Sequence, residues 1–412
     1  LPVIGPREVE PPIPLDDLSR HGNRSVDHVA VDLEVARPLL APDRLHHLVH
    51  RLGGTARVVY DPRGTGDLLV DTELRLDLLR LVVDQDAELV LLLTRPPADH
   101  EHGDVLAKGA FPMDHPLHMG VHMGPLSARA IVKRVDRADL VLNLGTLLTD
   151  MNLGSAPPQI TRDRSIWAVG GRVNVSFHTY TDVQIRDFLR GLLRARLKKH
   201  RERVRYCDNL PPPSKETTRR LRVTDVLHEV NRFLRGRRGY LVVAESGDML
   251  FGGLDVRVER GGGYLAQGFY ASMGFGIPGA LGAQLGTGAR PLILCGDGAF
   301  QMTGPEIAQA PRYGLNPIVL LVNNGGWQIF RPVITQQELL DVPPWPYARL
   351  AEDWGGRGFR VTRVDQLRAA LTEAARIRSF VVIEALVNPE DLSPVSRKYI
   401  EASARHGRIA AA

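Results

Sequence analysis

Cysteine is nearly absent: Cys207 and Cys295 are the only two in 412 residues, too few for a disulfide framework. Both read as plain thiols, Cys295 at the end of an apolar run and Cys207 in a polar stretch. Long apolar runs are missing as well. No segment reaches the roughly twenty residues that span a bilayer, and no charged-then-apolar leader opens the chain, so a cytoplasmic protein with no membrane partner is the default expectation. The charge surplus is small, a net +5, which suits anionic ligands but excludes a nucleic-acid surface as the main business of a chain this size. One further scarcity is local. All 11 Phe, 4 Trp and 7 Met, both Cys and every Lys lie beyond residue 104, whereas the density of Phe, Trp and Met found there would give about seven in the first 104 residues.

The informative stretch runs from Arg290 to Pro332. Two apolar runs, Pro291 to Cys295 and Pro317 to Val322, flank a segment of helical length, and each ends in small polar residues, the pattern of a βαβ unit. Parallel strands place both ends on one sheet edge, so Asp297 and Asn324 are predicted to face one crevice. The residue types there suit a hard divalent cation carrying a phosphate: a carboxylate, an amide oxygen, and a Gly325-Gly326 pair that lets a backbone carbonyl approach. Gly296 and Gly298 leave room for a diphosphate, and a helix beginning near Thr303 would aim free N–H groups at it. Each half alone reads equally well as a tight turn ending a strand.

Together, the GDGAFQMTG and NNGGWQIFR elements, with AESGDMLF and YASMGFGIP before them, resemble the cofactor motif of thiamine diphosphate-dependent 2-oxo acid decarboxylases. Bacterial phenylpyruvate and indolepyruvate decarboxylases are the most similar branch, and the resemblance runs nearly continuously from Leu106 to the C-terminus. It implies an α/β fold, a Rossmann-like central domain followed by a cofactor domain whose parallel sheet is flanked by helices. It assigns Asp297, Asn324 and the Gly326 carbonyl to Mg²⁺. It places Glu245, Ser246, Asp248, Ala271, Met273, Gly296, Gly298, Ala299, Trp327, Gln328 and Ile329 around thiamine diphosphate. Within that set, Met273 is the bulky apolar residue over which the cofactor bends, and Gly298 and Ala299 offer N–H groups to the diphosphate. Trp327 and Phe330 line the substrate pocket. Yeast-type pyruvate decarboxylases carry a glutamate where Phe330 stands, and a carboxylate handles protons where a phenyl ring cannot; the phenylpyruvate branch also has an apolar residue there, so the resemblance implies an aromatic 2-oxo acid.

The resemblance also implies a homodimer or homotetramer whose site is completed by a pyrimidine-binding domain bearing an activating glutamate. No H-E-x-x-A-like element occurs in this sequence, so the chain is read as the diphosphate- and metal-binding half, with its catalytic residues unknown. An acetolactate synthase-like or other 2-oxo acid lyase, or a silent cofactor-binding fragment, remains the alternative. Four regions follow: an atypical segment over 1–104, of which 1–13 resembles the end of a pyrimidine-binding domain; a central domain over 105–200; a linker over 201–220; and the cofactor domain over 221–412. Residues 14 to 104 are expected to be a stretch read in a wrong frame from a GC-rich gene, with a divergent domain as the alternative. Arg129 to Ala138, Val183 to Arg196 and Thr224 to Leu234 read as helices, and Leu140 to Leu144 and Tyr240 to Ala244 as strands. The central stretch lacks a G-x-G-x-x-G fingerprint. His115, His118 and His122 lie in a loop without a carboxylate or cysteine at ligand spacing, and are read as no metal site. The basic run from Arg194 to Tyr206 reads as the solvated end of a helix entering the linker.

Overall fold

The computed structural model describes residues 89–93, 108–109, 113–149, 151–154, 160–194, 204–259, 262–332, 334 and 336–405. Of the segment from 1 to 104 only Leu89–Leu93 falls among them, so the readings of residues 1–13 and of the origin of 14–104 lie outside the described residues, as do positions 195–203 of the basic run.

The first sheet holds β1 (Leu89–Leu93), β2 (Leu140–Leu144), β3 (Ser165–Val169), β4 (Arg172–Val175) and β5 (His178–Thr181) in that order. The first three are parallel and the last two close it as antiparallel ribbons. Alternation along β2 sends Val141 to one face, where α1 (Arg129–Arg137) buries Ile131 and Val135. Leu142 and Leu144 go to the other, where Phe188, Leu189 and Leu192 of α2 (Ile185–Arg194) pack. A helix on each face follows from a strand apolar at both parities.

The second sheet is all parallel, in the order β10 (Arg357–Val361), β11 (Val381–Leu386), β9 (Ile318–Asn323), β8 (Arg290–Gly296), β6 (Tyr240–Ala244), β7 (Tyr264–Ala266). Its strands read as continuous apolar runs because both faces are covered. Val242, Leu292, Leu294, Leu320 and Ile383 face one core with α3 (Val223–Leu234) and α8 (Val364–Ala374). Val243, Ile293, Cys295, Val319 and Val382 face the other with α5 (Gly276–Thr287) and α7 (Tyr347–Asp353). The expected helix start near Thr303 is corrected: α6 begins at Asp297 and ends at Thr303, where Gly304 and Pro305 hand over to 3-10 turns. Pro305 is tolerated in a first turn, which makes the sequence there imitate a helix start.

The two units meet through buried and half-buried polar groups. Lys108 Nζ donates to the carbonyls of Leu254 at 2.8 Å and Val256 at 2.7 Å. Lys398, on α9 (Pro394–Arg405), donates to the Ser127 carbonyl at 2.9 Å and to Asn209 Oδ1 at 2.6 Å. Asn209 in turn gives two N–H bonds, 3.0 and 3.2 Å, to Asp255 Oδ1. None of the described helices is long and apolar enough to cross a membrane.

Candidate functional site

Three adjacent strand ends share one edge of the large sheet, and their register brings Ala244 beside Leu294 and Gly296 beside Val322. β6 continues into Glu245 and α4 (Asp248–Gly252), β8 into α6, and β9 into Asn323–Gly326. Between them lies a pocket of about 480 Å³, counting the part open to solvent.

Asp297 sits at its floor, 2% exposed. Its Oδ1 accepts the Gly298 N–H at 2.9 Å and its Oδ2 the Gly325 N–H at 2.7 Å. Burial outweighs these donors and pushes the carboxyl up to about 6. The Asn324 amide faces the same point: one outer atom stands 3.3 Å from Asp297 Oδ1 and 2.9 Å from the Gly326 carbonyl oxygen. An amide nitrogen in that position bridges two acceptors. With the amide oxygen there, as it stands in this structure, three oxygens converge, an arrangement that a bound cation would hold together. Three oxygens with room for water and phosphate is the donor set of a hard divalent cation, so the residues fit Mg²⁺.

The loop carrying these atoms is laced from outside. Gln328, buried, donates to the Asn324 carbonyl at 3.1 Å and accepts from Arg331 Nε at 2.5 Å, and Arg331 Nη2 reaches Asp341 Oδ1 at 2.5 Å. Trp327 donates its N–H to Leu340 at 2.8 Å. Its indole lies so close over Gly298 that a Cβ there would stand 2.9 Å from ring atoms. Only glycine lets the strand turn and the tryptophan share this space.

Of the residues singled out in sequence, the pocket brings together Ser246, Asp248, Met273, Gly296, Asp297, Gly298, Ala299, Asn324, Gly326, Trp327, Gln328, Ile329 and Phe330. Glu245 and Ala271 are not among its lining. Glu245 is fully buried and accepts the N–H groups of Ser246 at 2.8 Å, Gly274 at 3.2 Å and Gly276 at 2.6 Å, tying the Met273 loop to α5. Ala271 lies on that loop with φ +57°. Asp248 borders the pocket while both carboxylate oxygens take the Ser393 N–H, at 3.0 and 3.1 Å. The Gly298 N–H, expected toward a diphosphate, is given to Asp297 in this structure. Sequence reasoning missed Gly247, Met249 and Val322 in the lining. The first two sit inside the AESGDMLF element and were readable from it.

Residues 248–385 match the family described as thiamine pyrophosphate enzyme, C-terminal TPP binding domain, and residues 103–192 match the thiamine pyrophosphate enzyme central domain. Indole-3-pyruvate decarboxylase of Azospirillum brasilense is 32% identical over 295 residues, 70% of this chain and 53% of that protein. Pyruvate decarboxylase isozyme 2 of Saccharomyces cerevisiae is 28% identical over 268 residues, 63% of this chain and 47% of its own length. Pyruvate decarboxylase 3 of Oryza sativa subsp. indica is 28% identical over 308 residues, 70% of this chain and 51% of its own. The chain spans about half the length of the curated relatives it matches.

Proposed function

The chain belongs to the thiamine pyrophosphate enzymes through its central and C-terminal domains, and from that premise we propose that it serves the Mg²⁺-dependent, non-oxidative decarboxylation of an aromatic 2-oxo acid, phenylpyruvate or indolepyruvate, to the aldehyde and CO₂. The observation that carries this is the convergence of Asp297, the Asn324 amide and the Gly326 carbonyl beneath a pocket walled by Trp327 and Phe330. When bound, the cofactor supplies the nucleophilic carbon and the electron sink that decarboxylation needs. Asp297, Asn324 and Gly326 would hold the metal, and Gly298 and Ala299 would border the diphosphate. Met273 gives a bulky apolar wall. Trp327 and Phe330 add an apolar, aromatic side with no titratable group, which favours an aryl substituent and keeps water from it.

The reading includes a homodimer or homotetramer in the cytoplasm, with a pyrimidine-binding domain set against the pocket. Support comes from Phe269 and Tyr270, 50% and 81% exposed on the loop that carries Met273. The test is turnover with and without a separately expressed N-terminal pyrimidine-binding domain. In its presence, kcat/KM for phenylpyruvate or indolepyruvate is expected to exceed that for pyruvate by about tenfold or more, the scale of discrimination by an apolar pocket. A preference for pyruvate contradicts the substrate assignment, and cofactor binding without any turnover points to a silent binding fragment.

A further inference from the structure

We propose that Glu384 is a positioning residue for the metal loop, acting through the side chain of Asn323; this rests on the metal reading given above. Glu384 lies in the interior strand β11, between Ile383 and Ala385, and is 4% exposed. A carboxylate in such a place costs desolvation and is retained only where it meets firm partners. Its flanking cation, Arg360 Nε at 3.5 Å from Oε2, has a side chain 65% exposed, so solvent screens that side of the pair. The short contact is elsewhere: Glu384 Oε1 accepts from Asn323 Nδ2 at 2.8 Å.

That bond decides which way round the Asn323 amide sits. With its nitrogen held by the carboxylate, Asn323 Oδ1 faces the Gly325 N–H at 3.2 Å. The same N–H also donates to Asp297 Oδ2 at 2.7 Å. Were the amide reversed, two donors would face each other, and the turn that presents Asn324 and the Gly326 carbonyl would open. The backbone of Asn323 is fixed independently by the Val387 N–H, which donates to its carbonyl at 3.0 Å. What Glu384 adds is therefore the amide's orientation. An acceptor supplied by the neighbouring strand thus reaches two of the three converging oxygens without touching the cation.

The experiment is calorimetric titration of the full chain with Mg²⁺ in the presence of thiamine diphosphate, together with the thermal midpoint of the free protein. Glu384→Leu removes the acceptor and is expected to weaken Mg²⁺ binding by roughly 10- to 100-fold, the usual cost of losing a partner behind a metal ligand. Glu384→Gln keeps an acceptor oxygen and is expected to restore affinity to within about threefold. Asn323→Ala should give the loss seen with Glu384→Leu, and the double variant should lose no more than either alone, because both break one link. A merely structural role would lower the midpoint without moving affinity and would show no rescue by Gln. Wild-type affinity in a folded Glu384→Leu chain, or in Asn323→Ala if the Leu variant does not fold, overturns the proposal. Asp297→Ala is the control: if it too binds like the unaltered chain, or the unaltered chain takes up nothing, the metal reading fails first and this inference falls with it.

Discussion

Asp297 carries two duties on one carboxylate, holding the Gly298 and Gly325 N–H groups and offering an oxygen to the pocket. Asp297→Ala is expected to abolish Mg²⁺-dependent binding of thiamine diphosphate, since the one anionic group among the three converging oxygens disappears; unchanged calorimetric affinity would refute the assignment. Gly298→Ala tests the space instead of the charge. Its methyl would meet the Trp327 ring at 2.9 Å, so the indole must shift, and both tryptophan fluorescence and cofactor affinity should change. Asp255 gives a prediction in pH. Burial raises its carboxyl from the ordinary 3.8 to about 6, so the folded state holds this proton more tightly than the unfolded one. The stability it contributes is fully present below about pH 4 and is lost as the pH rises through about 6. Asp255→Asn keeps the acceptor for Asn209 and removes the ionisation. Its thermal midpoint should match the unaltered chain near pH 4 and exceed it at pH 8, a gap that circular dichroism melts would show.

At the scale of elements, backbone closeness is the sensitive quantity. Strand β10 lies so near α7 that a Cβ on Gly358 would stand 1.8 Å from the Ala348 carbonyl oxygen. Gly358→Ala is expected to destabilise the fold by about 1–3 kcal/mol, the usual cost of overpacking, and chemical denaturation would measure it. The elements themselves were largely legible. Leu140–Leu144 and Tyr240–Ala244 form strands over the limits their sequence predicts, and the runs at Pro291 and Pro317 differ by one residue at each end, because strands buried on both faces must be apolar throughout. The helix at α6 was misplaced because Pro305 signals a first turn that belongs to a 3-10 segment. The oxygen-bearing residues Asp297 and Asn324 were readable at paired strand ends. Glu384 was not, since its meaning depends on a partner 61 positions away that only the pairing of β11 with β9 brings into reach. Glu245 likewise reads as a polar strand end, and only the fold shows it bonded to the start of α5.

For the whole molecule, the central and C-terminal units are joined where Lys398 reaches Ser127 and Asn209, and Asn209 reaches Asp255. Lys398→Ala removes this tie without entering the pocket, and hydrogen exchange should rise over residues 119–128 and 204–210 while the strands of the large sheet stay protected; unaltered exchange there would show that the units hold together by other contacts. The parallel order of that sheet bears on how the chain comes to exist as a binder at all. Ser246, Asp297 and Asn324 become neighbours only once β6, β8 and β9 pair in parallel across their crossovers, and such pairings close slowly because chain entropy is lost before contacts compensate it. A chain in which β6, β8 and β9 have not yet paired therefore lacks the complete pocket. Occupancy of the pocket then draws the population toward the folded state by mass action and withholds the slow-forming sheet from proteases.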